Sequence, residues 1–167
     1  MAIAAASSVT MTEGRDDASV MAIELAAAIA TQPAAFQSPY AAMLARAARR
    51  LGDGGLAAVL RPYIEPWSGL MLTGAAESAD VAGDHLLAWL DVAEGRASAA
   101  IANLRAALDL YERGGTLLAR WATVELVELL VEGGELDEAR ALGDRVRPLL
   151  VGDQWSHLAG RLATALA

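Results

Sequence analysis

Between Asp84 and Arg113 the apolar residues recur at intervals of three and four, and the pattern breaks once, at Gly95. Leu86, Leu87, Trp89, Leu90 and Ala93 mark one apolar helix. Ala97, Ala100, Ile101, Leu104, Ala107, Leu108 and Tyr111 draw a single stripe on a second. Glycine at the break supplies the left-handed conformation that a helix C-terminus needs. Small residues on the stripe, Ala97, Ala100 and Ala107, let a neighbouring helix approach closely. Arg105, Asp109 and Arg113 fall on another face at four-residue spacing, where opposite charges support each other weakly. A helical hairpin with one apolar stripe must bury it against something else, so this stretch demands helical neighbours on either side.

The chain supplies them. Gly134 to Ala139 repeats the spacing of Gly95 to Ala100, 39 residues along, and a period of this size signals stacked helical repeats. The second copy carries Gly143 where the first has Leu104. Gly52 and Ala57 keep the same spacing in a degenerate earlier hairpin over 39–64, for which Ser38-Pro39 reads as a helix start. Thr116 is expected to cap a helix reaching Val131. Asp153 is expected to cap a last helix through Trp155, Leu158, Leu162 and Leu166, sealing the apolar end of the stack. A short helix is expected over Ala18–Ala30, stopped by Pro33. Residues 66–79 are apolar but broken by proline and glycine; they read as a buried connector, or else as a functional loop. The expected organisation is a loose tail over 1–16 and one helical-repeat domain over 17–167.

The spacing of Gly95, Ala100, Leu104, Ala107 and Leu108 resembles a tetratricopeptide repeat, with Asp91 departing from the aromatic that the family prefers and no proline at the repeat end near Glu112. The wording around Arg61 to Tyr63 and His85 to Ala88 is similar to the helical-repeat tail of large actinobacterial signalling ATPases, the kind associated with LuxR-type regulators or adenylate cyclases. The resemblance implies an all-α fold of stacked antiparallel hairpins, a tetratricopeptide-like α-solenoid, in a regulatory or signalling setting. It transfers neither ATPase activity nor DNA binding, because the ATPase motif and a helix-turn-helix are both missing from this chain.

Composition narrows the chemistry. All 13 basic residues are arginine, and a chain without lysine has neither a P-loop nor a Schiff-base nucleophile. Cysteine is absent too, which removes disulfides, thiol nucleophiles and thiolate metal sites. Net charge is −8, unfavourable for a nucleic-acid binder. The opening residues have no basic segment of the signal-peptide kind, and no apolar run is long enough to span a bilayer, so a cytoplasmic protein away from membranes is expected.

Few residues invite a site. Asp80, Asp84 and His85 could be drawn as metal ligands, but acids at a helix start are favoured anyway, and no metal or other cofactor is expected. No G-x-S-x-G elbow surrounds any serine. Glu125, Glu128 and Glu132 line one helix face and read as a solvated acidic surface that a basic partner would meet. Arg113 and Arg120 flank the turn between hairpins and are further candidate partner contacts. Trp67, Trp89 and Trp121 would line a pocket if they converge; core packing is the plainer account. The leading expectation is therefore a non-catalytic protein–protein interaction module, not an enzyme, taking a protein or peptide partner. The alternative is a helical ligand-binding protein or enzyme with a pocket near 66–79. Self-assembly into a homo-oligomer through the ends of the stack is a third reading.

Overall fold

The computed structural model describes residues 34–72 and 81–167, with side chains from residue 40 onward. The expected helix over 18–30 lies outside those residues, as does Asp80. Among the described residues seven α-helices follow in order: α1 Ala34–Leu51, α2 Gly54–Ile64, α3 Gly83–Ala93, α4 Ala97–Arg113, α5 Leu118–Glu132, α6 Leu136–Val146 and α7 Ser156–Ala165. The protein is all-α, with a single two-residue antiparallel ladder among the described residues: β1 (Met71–Leu72) pairs with β2 (Val81–Ala82) and leads into α3.

The turns explain why the helices break where they do. Gly52, Gly95, Gly115 and Gly134 all have positive φ, between 61° and 80°. At each one the glycine N–H bonds three residues back and the next N–H bonds five residues back, as in Gly95 to Val92 and Arg96 to Asp91. This is the Schellman closure, which satisfies the orphan carbonyls of the preceding helix and needs a left-handed residue at its corner. At the other ends the caps are less regular. Asp53 accepts from Leu56 N–H and caps α2. Thr116 does not cap α5 as expected: Leu117 takes the cap position, and Thr116 Oγ1 is buried without a partner. Asp153 opens a short 3-10 turn, Asp153–Trp155, and α7 starts only at Ser156, with no side-chain cap. Helix α1 begins at Ala34, a turn before the Ser38-Pro39 start read from the sequence.

Two apolar cores meet at α3, where Gly83 to Asp91 are all buried. Leu86, Leu87, Trp89 and Leu90 join Leu44, Leu56, Leu60 and Ile64 of α1 and α2. Ala82 and Ala88 join the larger core of α4 to α7, built on Ile101, Leu104, Leu126, Leu130 and Leu158. The small residues of the repeated spacing, Ala57, Ala100 and Ala139, are fully buried, which lets consecutive helices close on each other. At Gly143 a β-carbon would sit 2.5 Å from Leu166 Cδ1, so the glycine that weakens the sequence match makes room for the end of α7.

Charged pairs tie neighbouring hairpins from outside. Arg61 to Glu94, Arg105 to Glu138, Arg145 to Glu112 and Arg161 to Glu128 each join residues 33 apart. Arg105 thus spends its charge on the next hairpin, where the sequence suggested Asp109. Asp91, the departure from the family's aromatic, is buried and accepts from Arg61, Arg96 and Asn103, binding α2, the turn and α4 together.

Two substitutions test this packing. Ala100→Trp overfills a closed helix contact and should cost roughly 1–3 kcal/mol or more in denaturant unfolding. Gly83→Ala should be comparably damaging, because its β-carbon would lie 2.0 Å from the Trp67 carbonyl oxygen, a backbone atom with no rotamer to move. Wild-type stability in either variant would show that these contacts are looser than described.

Candidate functional site

Titratable side chains converge between the two cores around Glu125, in the middle of α5. The helix is apolar on every side there: Ala122, Val124, Leu126 and Val127 are all buried, and Glu125 itself is 1% exposed. This corrects the expected solvated face. Glu128 is only partly exposed and is held by Arg161, through contacts of 2.8 and 2.6 Å; Glu132 alone of the three is fully at the surface.

Each oxygen of the Glu125 carboxylate accepts from two donors. Oε2 accepts from the Trp89 indole N–H and from His85 Nε2, both at 2.9 Å. Oε1 accepts from the Trp121 indole N–H at 2.9 Å and from Arg49 NH1. Four donors fill about four lone-pair positions. Arg161 adds a second positive charge 3.7 Å from Oε1. Elements α1, α3, α5 and α7 therefore all reach one carboxylate.

Behind His85 the chain of hydrogen bonds continues into the core. Its Nδ1 lies 2.9 Å from the Tyr111 hydroxyl, which also accepts from Ala82 N–H at 2.9 Å. Burial pushes the Tyr111 phenol well above its ordinary value, reinforced by the charges of Glu125 and Asp84 against the opposing Ala82 bond. A protonated phenol needs an acceptor, and His85 Nδ1 is in place; the ring proton then sits on Nε2 and is donated to Glu125. Burial alone would push the Glu125 carboxyl up, but the His85 hydrogen bond, the Arg49 charge and the Trp89 indole outweigh it and hold the group well below the carboxylate range.

Tyrosine, histidine and glutamate in series have the form of a proton relay. Here Tyr111 is 0% exposed and His85 1%, and the rings of His85, Trp89 and Trp121 pack at centroid distances of 4.8 to 5.9 Å. Of the three tryptophans considered for a pocket, Trp89 and Trp121 meet at 5.7 Å and pack with His85 around the Glu125 carboxylate, which is core packing. Trp67 packs instead on the core of α1 to α3, its carbonyl against Gly83.

The remaining candidates separate. Asp84 accepts from Ser68 Oγ and Gly69 N–H, so it and His85 are committed to protein partners, and no group of described residues is arranged to hold a metal ion. Arg113 is exposed and donates to the Asp109 carbonyl. The Arg120 guanidinium lies 4.8 Å over the Trp155 ring. A cleft of about 370 Å³ opens at the far end of the protein, lined mainly by Leu150, Leu162 and Leu166 with Arg147 beside them. Among the described residues no helix is long and apolar enough to cross a membrane. Comparison of the chain with protein-family models, curated proteins and solved structures gives no match in any of the three.

Glu125→Gln would place an amide N–H₂ against donors and should cost about 3 kcal/mol at neutral pH. The unfolded carboxyl ionises near 4.5 and the folded one far lower, so its contribution is complete above that value and lost as pH falls below it. The stability gap between wild type and Glu125→Gln should therefore narrow from neutral pH to about pH 3 in urea titrations; a constant gap would contradict a depressed Glu125. Glu128→Ala should cost about 1 kcal/mol by stripping Arg161 of a two-point partner, where a solvated glutamate would be nearly silent.

Proposed function

We propose that the chain is a non-catalytic protein–protein interaction module of stacked, tetratricopeptide-like hairpins, acting in a regulatory setting. The observation that carries this reading is that each hairpin is tied to the next. Ion pairs 33 residues apart link α2 to the end of α3, α4 to α6 twice, and α5 to α7. The same glycine closure ends α1, α3, α4 and α5. Modules that contact mainly their sequence neighbours build an extended surface without a closed cavity, and such surfaces usually take peptides or helices.

The buried cluster supports binding over catalysis. Every polar atom of His85, Tyr111 and Glu125 is satisfied from within, and a general base must reach a substrate proton to act. Trp89 and Trp121, two of the tryptophans that a ligand pocket would use, are engaged by Glu125. Glu125 is spent internally and Glu128 largely so, which removes the acidic surface as the reason for choosing a basic partner.

Capture from a source-cell lysate, with the bound proteins identified, should recover a specific polypeptide. Calorimetric titration with ATP, cyclic nucleotides and duplex DNA should show no specific heat. Binding of any of these at about micromolar affinity would replace the module reading with a ligand-binding one.

A further inference from the structure

Two arginines lie over tryptophan rings and donate to no acceptor among the described residues. Arg46 of α1 lies 5.1 Å over Trp121, and Arg120 of α5 lies 4.8 Å over Trp155. Arg49, one turn from Arg46 on α1, and Arg161 of α7, the helix that follows Trp155, both reach Glu125 and Glu128, so the two stacks flank one stretch of α5. Arg46 is exposed and Arg120 half-buried. A guanidinium stacked on an aromatic face keeps its N–H edges free and fixed in direction, the geometry that grips a carboxylate at two points. Beside them Arg49 and Arg161 are occupied by Glu125 and Glu128. Four guanidiniums thus meet two carboxylates, a local positive excess in a chain of net charge −8.

We infer that this patch is the partner-binding surface of the module and that its partner is an acidic peptide segment. The inference rests on the interaction-module reading and names the chemistry of the occupant. Leu117, 61% exposed at the cap of α5 and three residues before Arg120, adds an apolar contact, so the fitting segment mixes acidic with aliphatic residues. Nucleic acid fits less well. The Trp121 ring is covered by Arg46 and contacts Trp89 and His85, so it offers no platform for a base, and the acidic remainder of the protein repels an extended polyanion.

The test is fluorescence anisotropy with a labelled peptide alternating glutamate and leucine, its lysine–leucine counterpart, and a single-stranded oligonucleotide. Wild type should bind the glutamate peptide, more weakly as salt rises. The double variant Arg46→Ala with Arg120→Ala should lose roughly tenfold or more in affinity. Arg46→Lys with Arg120→Lys should keep part of it, since the charge remains and the planar fork is lost. Circular dichroism of both variants checks the fold. No binding of the glutamate peptide, undiminished binding by the alanine variant, or tighter binding of either other probe would overturn the inference. A partner captured equally well by wild type and the alanine variant would leave the module reading standing and remove this surface from it.

Discussion

A carboxylate buried inside a helical protein is the constraint on which the rest of this structure depends. Removing a charged group from water costs several kcal/mol unless its hydrogen bonds are replaced. Glu125 has them replaced in full, by two indoles, an imidazole and a guanidinium drawn from three helices. Those donors also set the geometry between helices. Trp89 and Trp121 are among the largest side chains in the molecule, and α3 and α5 meet through them and His85 instead of through close backbone contact. The consecutive helices within hairpins, by contrast, close over alanines such as Ala100 and Ala139.

The cluster also links local pairing to overall arrangement. The glycine closures and the ion pairs at 33-residue spacing join each helix only to near neighbours. Arg49 does something different, bringing α1 to the same two glutamates on α5 that Arg161 of α7 reaches. A chain of local hairpin contacts is thereby fastened across its length at a single polar point. Beside that point Arg46 and Arg120 lie over the rings of Trp121 and Trp155.

Much of the fold was legible because it follows from periodicity and turn chemistry. The apolar stripe from Ala97 to Tyr111 became α4 with Ala100, Ile101, Leu104, Ala107, Leu108 and Tyr111 buried, and Gly95 took the left-handed corner that it suggested. The caps at Thr116 and Asp153 were misread because a residue suited to capping does so only if the chain enters at the right angle, which neighbouring packing decides. The site was hidden for a related reason. Glu125, Glu128 and Glu132 share a helix face, and charge on a face ordinarily means solvent. A local signal did exist: Trp121 stands one turn before Glu125, within reach of its carboxylate, and the residues around Glu125 are apolar on all sides, the mark of a buried helix. The partners His85 and Arg49, 40 and 76 residues away, leave no comparable trace.

The central claim, that the Glu125 carboxylate is the acceptor for two buried indoles, can be read directly by hydrogen exchange of the four tryptophan side chains in NMR spectra. Of the four indole N–H groups, those of Trp89 and Trp121 donate to Glu125. The account predicts slow exchange for Trp89 and Trp121, fast exchange for Trp67 and Trp155, and loss of protection at the first pair in Glu125→Gln. Uniform exchange of all four, or protection at Trp89 and Trp121 that survives the substitution, would contradict it.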